Sequence, residues 1–273
     1  MSTRNGERDL ENHENGGRKP VLMVVVGRQR VGKTSFLNAL AQYLHERGAE
    51  FAIWDTDQMN TTNNMSVFHA EASSPSSERR EDVKAWLEER FLDIAERRYD
   101  ALVDVGGGDT PLTQLVEDVP VAAALAELGV RVVVVHLLGP DVADLDYLDR
   151  FERNLFMPEA VLIVRNSGLI LNGRSDEIAF ATLHGHAGLQ RALDKGAALV
   201  SLPRLACMSE VTDRGLRFAD AMNGKTGADG KGLSIFNRLR VRKWWMDELP
   251  RVFSEIPVEW LPKMRAQATG TGG

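Results

Sequence analysis

With 273 residues, 43% of them hydrophobic, the chain is long enough for one large α/β domain or two small ones, with a sizeable buried core. A formal net charge of −6 and a pI near 5.6 exclude a surface that is a nucleic-acid or membrane footprint throughout, so any site for a polyanion is local. A single cysteine, Cys207, excludes an intrachain disulfide and a cysteine-based zinc cluster, and points to a reducing compartment.

In chain order, residues 1–19 are polar throughout, lack the apolar core of a signal peptide, and read as a disordered tail. No later apolar run approaches the ~20 residues of a membrane span, and the reducing compartment implied by the single cysteine makes the cytoplasm the expected location. Strands are expected at 21–26, 50–54, 100–105, 131–137, 160–165 and 197–202, most of them nearly continuous in apolar character, as in a sheet covered on both faces. Longer amphipathic segments alternate with them, which is the pattern of crossover helices between parallel strands. One helix is expected over 33–46 and another over 83–98, where Val83, Trp86, Leu87, Phe91 and Ile94 fall at helical spacing. The reading is an α/β fold with a mostly parallel twisted sheet: one domain over 20–262 and a flexible tail over 263–273.

Between the first strand and the first helix lies a phosphate-binding loop pattern, G-x-x-x-x-G-K-[ST], as Gly27, Arg28, Gln29, Arg30, Val31, Gly32, Lys33 and Thr34. Its backbone N–H groups would cradle phosphates, the Lys33 ammonium would neutralise their charge, and the Thr34 hydroxyl would ligate Mg²⁺. A second Gly-Lys-Thr, around Lys225, follows no strand and reads as a loop. Carboxylates for such a site stand at the ends of two strands: Asp55 and Asp57 after the second, Asp104 after the third. Asp104, followed by three glycines, has the place of a strand-terminal acid that reaches Mg²⁺ through water. Asp57 is a candidate to orient an attacking water; both Asp55 and Asp57 have the alternative of capping the next segment.

The order "GRQRVGKT", "DTDQMNTTNN", "VDVGGGDTPL", "VLIVRN" and "SLPRLACMSEVTDRG" resembles the ParA/MinD class of ATPases, nearest to the plasmid stability and conjugal-transfer proteins called StbC or TraL. The resemblance extends over about residues 20–250 and takes in the D-x-D…N segment from Asp55 to Asn60, Pro111-Leu112, and "FNRLRVRKWW". It implies a slowly hydrolysing ATP switch in plasmid partition or conjugation, with ATP and Mg²⁺ as cofactors, a nucleotide-dependent homodimer, and a plasmid-encoded protein partner. By that resemblance Lys33 binds the phosphates, Thr34 the metal, Ser35 lies near the α-phosphate, Asp57 near the hydrolytic water, and Asp104 in the outer metal shell. Asn166 and the pair Pro203-Arg204 match the adenine readers.

The middle of the loop departs from that class. Arg28 stands where a signature lysine is usual, and Gln29 and Arg30 replace glycines. A guanidinium grips phosphate bidentately, so an arginine acting across a dimer is chemically sound. Two bulky residues in place of glycines would instead block close apposition and leave a monomeric phosphotransferase acting on a small substrate. A nucleotide-binding scaffold with little turnover is the third reading.

Near the C-terminus, a helix is expected to follow Ser234, with Ile235, Leu239, Met246 and Leu249 on one face. The segment 238–243, with Arg238, Arg240, Arg242 and Lys243, is a candidate for nonspecific DNA contact, but its arginines do not form one stripe; a packed terminal helix with solvated arginines is the alternative. His184 and His186 have no clear third ligand and read as loop residues.

Overall fold

The computed structural model describes residues 17–57, 64–106, 111–145, 148, 158–171 and 174–265. Asn60, the tail through residue 16 and residues 266–273 lie outside the described residues. Six strands form one sheet: β1 (Val21–Val26), β2 (Phe51–Asp55), β3 (Asp100–Asp104), β4 (Arg131–Leu138), β5 (Ala160–Asn166) and β6 (Ala198–Leu202). Their order is β2-β3-β1-β4-β5-β6 and every pairing is parallel. The sheet is thus wholly parallel, and each expected strand lies within a residue of its place at either end.

Helices cover both faces: α1 (Lys33–His45), α2 (Arg80–Arg97), α3 (Pro111–Asp118), α4 (Val121–Glu127), α5 (Ala187–Asp194), α6 (Ile235–Lys243) and α7 (Leu249–Ser254), with shorter turns between. Alternate side chains of β1 enter different layers, because successive residues of a strand point to opposite faces. Val21, Met23 and Val25 pack with Phe36, Leu37, Leu40 and Leu44 of α1. Leu22, Val24 and Val26 pack with Val83, Leu87, Phe91 and Ile94 of α2. Burial on both sides explains why the strands read as unbroken apolar runs. Parallel register also sets Asp104 beside Val25 of β1 and beside Asp55 of β2, so the carboxylate-bearing strand ends flank the exit of β1.

Two ends of the domain are fastened to one buried acid. Asp100 accepts from Arg18 Nη1 at 2.8 Å and from the backbone N–H of Val21 and of Lys263, both at 2.8 Å. Among the described residues, no helix is long and apolar enough to cross a membrane.

The C-terminal helix corrects the sequence reading. Ile235, Leu239 and Met246 are more than half exposed, whereas Val241, Trp244, Trp245 and Leu249 are buried. Between α6 and α7 the backbone widens into a π-type turn over Trp244–Glu248, just before Pro250, which has no N–H to continue the i→i−4 ladder. The widened turn carries both tryptophans inward: Trp245 stacks on Phe218 at 5.1 Å, Trp244 packs tilted against the same ring at 5.0 Å, and Trp244 Nε1–H donates to the Pro203 carbonyl at 2.8 Å. In the neighbouring basic segment, Arg240 bonds Asn237 and Lys243 pairs with Glu248 at 2.9 Å.

Candidate functional site: a phosphate loop with a buried carboxylate

β1 leads directly into the loop at 27–34, and its two glycines are needed where they stand. Gly27 has φ 150° and a Cβ there would lie 2.8 Å from the Leu137 carbonyl oxygen; Gly32 has φ 97° and a Cβ there would lie 2.5 Å from the Asn166 amide nitrogen. Arg30 also takes the left-handed conformation, at φ 62°, without glycine's freedom. The third residue of "RQR" therefore makes a turn that a glycine would make at lower strain.

Helix α1 starts on Gly32 with no side-chain cap and no acid in its first turn. The first-turn N–H groups, from Lys33 through Ser35, accordingly add a partial positive charge to the loop mouth, which suits an anion. Lys33 is buried, with Nζ folded back onto the carbonyls of Gly27 and Arg28 at 3.2 Å each. Burial lowers its pKa from 10.5, while Asp104 and Asp57 act in the opposite direction.

Asp104 is fully buried. Its Oδ2 accepts from Thr34 Oγ1–H at 2.7 Å, and its Oδ1 has no hydrogen-bond partner among the described residues. Burial pushes its pKa up to about 7, with Asp55 adding to the rise and the Thr34 hydrogen bond opposing it. A buried carboxylate oxygen left open beside a threonine hydroxyl is an oxygen donor set that a hard divalent cation such as Mg²⁺ fits.

The other acids divide. Asp55 is structural, as one of its alternatives had it: Oδ1 accepts from the Asp57 N–H at 3.0 Å and Oδ2 from the Met65 N–H at 2.9 Å, which ties both flanks of residues 57–65 to β2. Asp57 stands beside Gly106 after β3, where a Cβ would lie 3.3 Å from its Oδ1, and its charge is felt at Lys33 and Asp104.

Arg28 is held inside its own chain. Its Nη1 donates to Asp141 Oδ2 at 3.0 Å and to Asp144 Oδ1 at 3.2 Å, while the other oxygen of Asp144 accepts from the Gly139 N–H at 2.6 Å. The Ala143 N–H and Arg28 hold Asp141 below its usual value; burial raises Asp144 despite the same arginine. Sequence reasoning missed both acids. The available signal was the acidic run "PDVADLD" directly after β4, the strand beside β1.

Asn166 reaches the loop rather than open space: Nδ2 donates to the Val31 carbonyl at 2.9 Å, and Oδ1 accepts from the Gly168 N–H at 2.9 Å. Pro203 and exposed Arg204 follow β6, the outer strand, where Pro203 is engaged by Trp244. The structure therefore brings residues 27–35, Asp57, Asp104 and Asn166 together, while Pro203-Arg204 stand further out along the same sheet edge. His186 caps α5 through Nδ1, and His184 bonds Arg165.

Among solved structures, the chain is similar to the signal recognition particle 54 kDa protein from Aeropyrum pernix K1 in complex with GDP (16% identity, TM-score 0.45, 87% of this chain and 49% of that one). It is also similar to a nucleotide-binding protein from Archaeoglobus fulgidus in complex with ADP (14%, 0.44, 76% and 91%). A third likeness is to chloroplast FtsY from Physcomitrella patens (15%, 0.44, 68% and 59%). The chain thus spans about half the length of the first of these. No curated protein matches it. The family that the sequence does match differs from the ParA/MinD class that its motif order resembles, and what the two share is a P-loop nucleotide-binding domain. That match covers residues 6–166, more than half of the chain, and takes in β1, the phosphate loop, Asp57, Asp104 and Asn166; the chain belongs to the Zeta toxin family.

Proposed function

We propose that the chain is a Mg²⁺-dependent phosphotransferase that moves the terminal phosphoryl group of a nucleoside triphosphate, ATP on the sequence reading, to a hydroxyl of a small acceptor. The observation that carries this reading over a switch is the in-chain pairing of Arg28 with Asp141 and Asp144, which occupies the cation that a sandwich dimer would lend to its partner. Membership of the Zeta toxin family, whose match covers the phosphate loop, Asp57 and Asp104, supports it.

The chain's residues divide the work as follows. Loop amides and the first turn of α1 bind the phosphates, and Lys33 leaves its two carbonyls for the transferred group. Thr34 and Asp104 would hold the Mg²⁺, which supplies neutralisation of the charge that develops on the phosphate oxygens. Asp57 receives the acceptor's hydroxyl proton as the new O–P bond forms and the bond to the nucleoside diphosphate breaks. Arg28, Asp141 and Asp144 line the side towards β4.

A second reading is retained on a different observation. Arg28 is 44% exposed and its partner Asp141 64%, and an exposed ion pair is weak, so a phosphate can replace Asp141 while buried Asp144 stays in place. In that case the protein is the ParA-like ATP-hydrolysing switch of plasmid partition or conjugal transfer, acting as a dimer.

Incubation with ATP and Mg²⁺, with and without a panel of hydroxyl-bearing metabolites, separates the two. Phosphotransfer predicts an acceptor-dependent release of ADP matched by a phosphorylated product in mass spectra. Release of inorganic phosphate without such a product, stimulated by DNA or protein, would overturn it in favour of the switch. Tight binding with neither product leaves a scaffold.

A further inference from the structure

At the end of α1 remote from the phosphate loop, three side chains converge that no step above uses. His45 closes α1, and His69 and Glu71 follow the helical turn Met65–Phe68. His69 Nδ1 and Glu71 Oε1 are 3.5 Å apart, His45 Nδ1 and Glu71 Oε1 3.9 Å, and all three ligand atoms lie within 4.8 Å of one another.

A chain of hydrogen bonds assigns the His69 tautomer. The backbone N–H of Phe218 can only donate, and it donates to Gln42 Oε1 at 2.9 Å, which makes the other end of that amide its NH₂. Gln42 Nε2 therefore donates to Asn38 Oδ1 at 2.8 Å, and Asn38 must present oxygen. That oxygen lies 3.0 Å from His69 Nε2, so Nε2 carries the hydrogen and Nδ1 carries the lone pair. His69 is fully buried, and its Nδ1 has no hydrogen-bond partner among the described residues. It points its lone pair at a carboxylate that also offers only lone pairs. Two acceptors that face each other across such a gap are at lower energy with a cation between them.

We propose that His45, His69 and Glu71 form a binding site for a divalent transition metal of the zinc class. Two imidazole nitrogens and one carboxylate are a common donor set for such ions, with an open position left for water. Bonds of about 2.0–2.2 Å place tetrahedral ligand atoms about 3.3–3.6 Å apart, so the two histidine–Glu71 separations of 3.5 and 3.9 Å need only a small contraction. Glu71, 49% exposed, can make it, and its exposure gives the ion an entrance. The scaffold is already fixed: Asn38 holds His69 from behind, and the His45 ring stacks on Phe51 at 4.4 Å and 11°. The carboxyl end of α1 adds a favourable field for a cation. Exposed Arg217 is close enough to oppose positive charge at both histidines.

The test is a titration of the metal-free full-length chain with ZnCl₂ by calorimetry and with CoCl₂ by visible absorption, both in excess Mg²⁺ to occupy oxygen-donor sites. One equivalent should bind, the cobalt form should give the intense bands of a tetrahedral centre, and Zn²⁺ should raise the melting temperature. His45→Ala, at a part-buried position, and Glu71→Gln, at an exposed one, should each weaken Zn²⁺ at least ~10-fold and remove the cobalt bands, whereas Arg217→Gln should tighten binding. His69→Gln should abolish it, and if that buried variant does not fold, the His45 and Glu71 variants carry the test. Absence of stoichiometric binding, or Zn²⁺ affinity unchanged in the His45→Ala, Glu71→Gln double variant, would overturn the proposal.

Discussion

Thr34 and Asp104, seventy residues apart in sequence, share a hydrogen bond of 2.7 Å that joins the first turn of α1 to the end of β3. The contact exists because β3 lies directly beside β1 in the sheet, and it leaves the second oxygen of Asp104 open.

The buried state of Asp104 sets a pH dependence. Its folded pKa of about 7 is above the ordinary 3.8, so the folded chain holds a proton that the unfolded chain gives up. Its contribution to stability is therefore fully present below about pH 4 and lost as pH rises through about 7, by an amount on the order of a few kcal/mol. His136 and His69, held down by burial at about 3 and about 4, act in the opposite direction as pH falls below 6.5. Melting curves of metal-free Asp104→Asn against wild type isolate the first effect: the variant should gain most at pH 8 and little at pH 4. Equal gains at both would refute the assignment.

Lys33→Ala should leave the fold intact and weaken Mg²⁺–nucleotide binding by about 10- to 150-fold, since a charged hydrogen-bonding group aimed at phosphates contributes roughly 1.5–3 kcal/mol. Nucleotide titration followed by calorimetry measures this, with circular dichroism as the check on folding.

Asn166 uses both ends of its amide on the local backbone, at Val31 and Gly168. Asn166→Ala should therefore weaken ATP and GTP alike, by about 5- to 10-fold for one lost bond of ~1 kcal/mol. A loss confined to ATP would show the side chain to be a base reader, as the resemblance implied.

For Arg28 the two functional readings diverge. If the Asp141 and Asp144 pairing persists with nucleotide bound, wild type should remain a monomer in sedimentation with a slowly hydrolysed ATP analogue, and Arg28→Ala should behave alike. Analogue-dependent dimers that Arg28→Ala abolishes and Arg28→Lys restores would place the arginine in a partner's site.

Arg30→Gly should stabilise the chain by up to ~1 kcal/mol, because a left-handed residue with a Cβ carries about 1–2 kcal/mol of strain that glycine's greater unfolded entropy only partly offsets. A lower melting temperature would mean that the Arg30 side chain makes a compensating contact.

Much of this molecule was legible in its sequence because the relevant signals are local. Six apolar runs became six strands, since a parallel sheet buried on both faces needs nothing but apolar residues over five to eight positions. The loop at 27–34 and the acids at 55, 57 and 104 were legible for a related reason: parallel strands end at a common edge, so a strand-end carboxylate arrives near a strand-end loop whichever strand carries it. Tertiary structure decided the rest. Only the strand order put Asp104 rather than Asp55 against Thr34, and only the chain's path after β4 brought Asp141 and Asp144 to Arg28. The apolar face chosen for the last helix was wrong because helical periodicity cannot register a π-type turn or the pull of two tryptophans on Phe218. His45 and His69 lie twenty-four positions apart with no metal-ligand spacing, and their meeting depends on α1 ending beside the segment that returns from β2. Contacts of that kind are made by packing between elements, and no single stretch of sequence encodes them.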